Sequence, residues 1–350
     1  MTETFLGAWQ IDDDFPHTGS DDDRLAFAAR FARLAPSGHN GQPWTFEVSD
    51  GELSVCTDPS RALPTIDPDD RELTLTCAAS ARFAALALDH FGYPPLVDTT
   101  VDPARPTVIA RIRAGSRREP PHDRAMFDAI TARHCNRHPY RDTAVPQDVL
   151  TALADAAGVH GCWVAAVTAG EQIARCADLI AQGDRVKWRE REFRHELAKR
   201  LVPNRGPRRD GMPGYAFGVP GPLARWAPAA VRRADLGPVR AFTDRRLARA
   251  TPALLVVGTD RDDRAAWVSA GLAMADVLLH ATSAGLATGF LSQAIEVPEL
   301  RSRLMPMLGR EGFPQVLLRV GYARRSPRPS PRRELHEVLV RSQTTRKAVS

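Results

Sequence analysis

Laid over itself with Trp44 on Trp163, a shift of 119 residues, the chain repeats its own pattern once, and a duplicated pattern restricts the fold to two like halves. "FARLAPSGHNGQPWTFEV" then lies over "LTALADAAGVHGCWVAAV", with Phe31 on Leu150 and Leu34 on Leu153. Each line reads as a helix end, a loop and a half-buried strand. "CAASARFAALALDHFGY" lies over "AGLAMADVLLHATSAGLA" with Gly92 on Gly285, two small-residue helices stopped by glycine. "PTVIARI" from Pro106 and "PQVLLRV" from Pro314 are apolar, rich in β-branched residues, and as long as a buried strand. Helix, strand, long helix, strand therefore occurs twice. The expected fold class is α+β, internally duplicated, with the halves packed like a dimer fused within one chain.

The halves are unequal. Trp44 and Gly92 are 48 residues apart but Trp163 and Gly285 are 122 apart, so the second half carries an insertion of about 74 residues. It contains a basic amphipathic helix and a Gly/Pro-rich stretch, and is either a lid or a surface excursion. Tyr215, Phe217 and Trp226 are unusual in a solvated linker and favour the lid. The expected division is 1–118 for the first half, 119–340 for the second with the insertion at about 185–245, and 341–350 for a polar tail.

The loop "APSGHNGQPW" is polar in one half only. Under the same shift Pro36-Ser37 falls on Asp155-Ala156, Asn40 on Val159, and Gln42-Pro43 on Gly161-Cys162. A loop that merely connects helix to strand has no reason to be polar in one copy alone. Asn40 and Gln42 each offer an amide donor and acceptor, suited to the edge of a planar heterocycle, although Pro, Gly and Asn also make turns for conformational reasons.

Composition removes other classes of function. All but three of the 47 basic residues are arginine, interspersed with 42 acidic ones, which is a weak argument for binding nucleic acid or membrane. Only "ARRSPRPSPRR" stands out, and it lacks a recognition helix or aromatic-bearing fold. Five cysteines without a C-x-x-C pair argue against disulfides and structural zinc. No uncharged apolar run approaches the roughly 20 residues of a membrane helix, and the first residues lack signal-peptide character. A cytoplasmic protein is expected. His122, His134, His138 and His195 lack metal spacing and His39 reads as structural, so no metal is expected, and no G-x-G-x-x-G fingerprint marks a dinucleotide fold.

"APSGHNGQPW" resembles the P-S-x-x-N-x-Q-P-W element of the FMN-dependent nitroreductase family, and "RHCNR" at 133–137 resembles that family's R-x-S-x-R. With "FLSQAIEVPELR", "GFPQVLLRVGYA" and "SPRR", the chain is similar to the tandem, Acg-type nitroreductase-like branch over about residues 20–340. The resemblance implies an α+β nitroreductase-like fold with a single FMN between the halves, since the first half keeps the polar loop and the second keeps the arginine element. It implies that Pro36, Ser37, Asn40 and Gln42 line the isoalloxazine, and that backbone near Ser292 and Gln293 offers an N–H to flavin N5. Arg133 and Arg137, read as one helical turn apart, converge on the phosphate with Arg332 and Arg333. Arg137 is equally a candidate for the cation at the N1 edge. Cys135 stands where the family has Ser or Thr, and a thiol is a poor donor to phosphate.

Two functions follow. One is an oxidoreductase passing hydride from NAD(P)H through FMN to nitro compounds or quinones; the other is a flavoprotein that stores FMN under the lid. The partners expected are a small-molecule substrate and NAD(P)H, with neither nucleic acid nor membrane. A fused pseudo-dimer is compatible with a monomer.

Overall fold

The computed structural model describes residues 7–341. The first half runs α1 (Asp21–Ala32), β1 (Trp44–Ser49), β2 (Glu52–Thr57), α2 (Arg71–His90), β3 (Pro95–Asp98) and β4 (Val108–Ala114). After α3 (Ala125–Ala132) the second half begins with α4 (Gln147–Gly158) and β5 (Trp163–Val167). An excursion follows: α5 (Gly170–Arg189), α6 (Arg191–Arg200), β6 (Leu201–Val202), β7 (Met212–Pro213), α7 (Gly221–Ala224), α8 (Ala227–Arg233) and α9 (Gly237–Arg249). The chain then completes β8 (Ala253–Thr259), α10 (Arg264–Ser283), β9 (Ala287–Phe290), α11 (Pro298–Leu308), β10 (Phe313–Gly321), α12 (Leu335–Val338) and β11 (Leu339–Arg341).

Two antiparallel sheets share one strand order. The first is β1-β2-β4-β3 with β11 added beside β1, and the second is β5-β8-β10-β9. The register agrees too: Trp44 opens its strand opposite Thr57, and Trp163 opens its own opposite Gly258. A Cβ on Gly258 would lie 2.2 Å from the Trp163 ring, so only glycine admits that indole. Gly92 and Gly285, paired once the 74-residue insertion is added to the 119-residue shift, follow α2 and α10 with φ of 84° and 74°. Each half has two strands before the long helix rather than one, and a short strand after it, because β2 and β8 are hairpin partners that alternation along a single segment does not reveal.

The insertion begins at a turn. In the first half Asp50 and Gly51, with φ of 52° and 73°, close the β1–β2 hairpin in the left-handed conformation that two-residue hairpins favour. In the second half residues 168–252 replace that turn between β5 and β8, so the excursion is wider at both ends than 185–245. The second half's last strand, β11, joins the first half's sheet parallel to β1, pairing Phe46 with Leu339. Of the expected polar tail 341–350, only Arg341 falls within the described residues.

The main core draws on both halves: Leu25, Phe46, Phe83 and Leu88 pack in one cluster with Leu255, Val257, Leu278 and Leu318. Burying each such side chain contributes roughly 1.5–3 kcal/mol. By length and composition α10 is apolar enough to cross a membrane, but it is mostly buried and serves as a core helix. It crosses α2 at Gly271, where an added Cβ would lie 2.3 Å from the Leu75 carbonyl oxygen and 2.6 Å from Ala78 Cβ. Beside this crossing Asp276 accepts from Arg82 Nε and meets His160 Nε2, both at 2.7 Å.

Overpacking a tight helix crossing costs about 1–3 kcal/mol. Gly271→Ala is therefore expected to lower stability in urea by that amount, with far-ultraviolet and tryptophan signals still coincident because the halves share a core. Gly158→Ala, where a Cβ meets nothing within 4 Å, is the control expected to be neutral or stabilising.

Candidate functional site

Three of four consecutive positions in the 39–42 loop are strained. His39, Asn40 and Gln42 have φ of 51°, 55° and 48°, costing about 1–3 kcal/mol each. The Gln42 N–H donates to Ser37 Oγ at 3.0 Å, and the Asn40 N–H to the Ser37 carbonyl at 3.0 Å. Asn40 Nδ2 donates to the carbonyls of Gly211 (2.9 Å) and Pro331 (3.1 Å), while its Oδ1 accepts from Arg332 at 2.8 Å. Gln42 is fully buried; its Nε2 donates to Arg209 O at 2.8 Å and its Oε1 accepts from the Arg333 N–H at 2.7 Å. These amides join the insertion and the C-terminal segment to the loop, as buried backbone groups require.

Two adjoining cavities lie where these segments meet, sharing Pro36, Ser37, Arg137, Met212 and Phe217's neighbour Gly218. The first measures about 530 Å³ and is lined by Arg133, Arg137, Arg325, Arg328 and Arg332, with no carboxylate among its lining residues. Arg133 and Arg332 are 2% and 3% exposed, so nothing in bulk water compensates their charge. Both donate to the Leu34 carbonyl at 3.1 Å, and Arg332 also to that of Ala35 at 3.2 Å. Arg332 lies 4.6 Å over the Trp9 ring. Burial pushes Arg133 down to about 10 and Arg332 well below its ordinary value, with Arg133 adding repulsion. Arg133 Nε and Nη1 and Arg332 Nε have no hydrogen-bond partner among the described residues. Buried unpaired donors of this kind are costly, and an anion with several acceptor oxygens satisfies them.

Arg133, Cys135 and Arg137 reach this cavity by a different geometry from the helical turn expected. The helix α3 ends at Ala132, and the following residues lie along β9: Cys135 bridges Thr288 in parallel, and the Asn136 N–H donates to Thr288 O at 2.8 Å. On an extended segment alternate side chains share a face. Gly289 permits the approach, since a Cβ there would sit 2.4 Å from Asn136 O.

The second cavity, about 380 Å³, is lined by Ser292 and Gln293 with Pro36, Ser37, His39, Thr76, Lys187 and Asp184. Gly183 lets α5 press on the 292–294 turn, a Cβ there falling 2.5 Å from Gln293 O. Gln293 Nε2 donates to Asp244 at 2.9 Å, and Lys187 pairs with Glu296. Burial raises Asp184 to about 7, helped by Asp244, and leaves its Oδ2 without a partner. Burial also lowers Lys187 to about 8. Met212, Ala216 and Gly218 line both cavities, and their segment is anchored where Tyr215 Oη donates to Pro329 O at 2.9 Å and its N–H to Asn204 Oδ1 at 2.7 Å.

Of the residues singled out by sequence, Pro36, Ser37, Asn40, Arg133, Cys135, Arg137 and Arg332 meet in the arginine cavity, and Ser292 and Gln293 in its neighbour. Gln42 and Arg333 line neither: Gln42 is turned to backbone groups, and Arg333 donates to the carbonyls of Gln42 (3.4 Å) and Glu337 (2.8 Å). Residues 155–162, the second copy of the loop, line neither cavity, and Val159 is 79% exposed. The sequence reading missed Asp184, Lys187, Asp244 and Arg319. A signal existed: Asp184 and Lys187 continue the apolar stripe Ile173-Cys176-Ile180 of α5, where charged residues are out of place.

Folded Asp184 holds its proton more tightly than the unfolded chain does. Its favourable contribution is therefore full below the ordinary carboxylate value of 3.8 and is lost as pH rises through about 7. Asp184→Asn is expected to match the parent near pH 4 and to exceed its stability by about 1–3 kcal/mol at pH 8, measured by urea unfolding at both pH values.

Residues 130–322 match the profile of the nitroreductase family. The chain is 32% identical over 317 residues to a Mycobacterium tuberculosis (strain H37Rv) protein named "Putative NAD(P)H nitroreductase Rv3131", covering 87% of this chain and 88% of that protein. It is 28% identical over 343 residues to "Putative NAD(P)H nitroreductase acg" of the same strain, covering 93% and 97%. The solved FMN and NADPH-dependent nitroreductase NfnB from sphigopyxis sp. strain HMH aligns with a TM-score of 0.41 at 21% identity, over 61% of this chain and 96% of that one. With the family profile matching more than half of its residues and a relative 32% identical over 87% of its length, the chain belongs to the nitroreductase family.

Proposed function

We propose that the protein binds one FMN across the two cavities and works as a cytoplasmic NAD(P)H-dependent reductase of nitro compounds or quinones, with the flavin site formed within one chain. The observation that carries this reading is the carboxylate-free arginine cavity, whose buried guanidinium N–H groups lack partners and which adjoins the cavity beside Ser292 and Gln293. Arg133, Arg137 and Arg332 would hold the phosphate. Pro36, Ser37 and the 292–293 turn would flank the ring system, with Asn40 acting through its grip on Arg332. Bound FMN would supply the atom that accepts hydride; the chain contributes the anion site, the shape that excludes water, and Lys187 and Arg137 as cations near the ring cavity.

Purified protein reconstituted with excess FMN is expected to hold about one flavin per chain. Two per chain, or none, would overturn the reading. The double change Arg133→Ala with Arg137→Ala should weaken FMN binding at least about tenfold, since each hydrogen bond to a charged group contributes roughly 1.5–3 kcal/mol. Exposed Val159→Ala, in the other half's copy of the loop, should leave it unchanged. Equilibrium dialysis measures all three.

The walls formed by Met212, Ala216 and Gly218 over both cavities support the second reading, in which residues 211–221 act as a lid that retains FMN. Hydride transfer requires van der Waals contact with the flavin, so a closed lid must open first. Loosening it with Tyr215→Phe and Asn204→Ala should speed anaerobic reduction by NADPH and shorten FMN retention. Reduction of the parent within seconds, followed by turnover of a nitroaromatic or quinone, would overturn storage; no reduction even in the loosened variant would overturn the reductase.

A further inference from the structure

We propose that Cys135 is a site of reversible thiol modification by small anionic disulfides that excludes the phosphate anion from the arginine cavity, so that the state of this thiol governs cofactor loading. The proposal rests on FMN being the occupant of that cleft.

Cys56, Cys77, Cys162 and Cys176 are 2%, 0%, 6% and 1% exposed, whereas Cys135 is half-buried and lines the 530 Å³ cavity. The cavity is built for an anion on independent grounds. Arg133, almost wholly buried, leaves Nε and Nη1 unpartnered, Arg332 leaves Nε so, and no carboxylate lines the space. A small anion entering the cavity therefore meets fixed positive charge and the thiol together. The thiol is held there by its backbone: Cys135 bridges Thr288 on β9, the next N–H donates to Thr288 O at 2.8 Å, and Arg319 Nη2 donates to Asn136 O at 2.9 Å. An adduct on Cys135 thus stays in the phosphate's space, flanked by Arg133 and Arg137 on the same extended face.

The chemistry is thiol–disulfide exchange. The Cys135 sulfur attacks one sulfur of the disulfide as its proton passes to solvent; a new S–S bond forms, the old one breaks, and the other half leaves as a thiolate. The disulfide is the two-electron oxidant, and excess thiol reverses the step. A hydroxyl at this position would bind phosphate without this reactivity, so the cysteine brings a switch at a position where a better donor exists.

The test uses the full chain with 5,5′-dithiobis(2-nitrobenzoate), an anionic aromatic disulfide, following release of the coloured thiolate. One thiol per chain should react fast and four slowly, and Cys135→Ser should abolish the fast phase while still binding FMN. FMN at about 100 times its Kd should slow the fast phase about 100-fold, and inorganic phosphate should also slow it. Neutral dithiodipyridine, with rates normalised to a free thiol, should react at least about tenfold more slowly because it is not steered by the arginines. The labelled chain should fail to bind FMN until dithiothreitol is added. Bound FMN that leaves the labelling rate unchanged, or a fast phase that persists in Cys135→Ser, would overturn the proposal and leave the flavin reading intact. Phosphate protection with no FMN binding by unlabelled protein would overturn the flavin reading, while the antagonism between anion and thiol adduct would stand.

Discussion

Two guanidinium groups, Arg133 and Arg332, lie buried side by side with no carboxylate lining the cavity they face, and the middle of the molecule is arranged around that charge. Taking a cation from water is expensive, and two neighbouring cations repel. The chain answers part of the cost with the carbonyls of Leu34 and Ala35, which end the α1 segment, and with the face of Trp9. Arg133 Nε and Nη1 and Arg332 Nε keep no partner among the described residues. Arg133 comes from the second half, the carbonyls from the first, and Arg332 from a segment crossing back between them. The charge cannot be assembled by either half alone.

The same constraint accounts for the asymmetry. Both halves build one ladder in one register, but the hairpin turn at Asp50-Gly51 is replaced in the other copy by residues 168–252. That excursion brings Gly211 and Arg209 onto the strained loop, where Asn40 and Gln42 satisfy their carbonyls. The strain at His39, Asn40 and Gln42 is tolerated because several segments converge on it, including Arg61, whose Nε donates to Gly41 O at 2.8 Å. At the corresponding place in the other half, Val159 stands exposed at the end of α4, and His160 pairs with Asp276 of α10. The two sheets share one strand order; the excursion interrupts the second, and the returning C-terminal strand β11 is added to the first.

The basic "ARRSPRPSPRR" stretch shows how composition and placement differ. Read as a string it is a charged tail. In the fold Arg324 donates to Tyr140 O at 2.7 Å, Arg325 and Arg328 line the cavity, and Arg332 is buried. Arg333, its neighbour with the same side chain, turns toward Glu337. Nothing in the spacing separates these four fates, because each depends on a carbonyl or a cavity supplied by distant residues.

The sequence by itself determined the α+β class, the matching order of elements in two stretches of chain, and the loop and arginine elements that line the cavities. Those rest on local periodicity, on glycines that end helices at matching places, and on residue types whose chemistry is independent of context. Tertiary structure alone decided that Arg133, Cys135 and Arg137 converge along an extended edge beside β9, that Gln42 holds backbone instead of lining a cavity, and that Asp184 and Lys187 line the second cavity. The physical reason is that side-chain direction and protonation are set by burial and by partners more than a hundred residues away, such as Gln42 with Arg333 or Asn136 with Thr288, and spacing along a chain carries no record of which segments come to share a low-dielectric cavity.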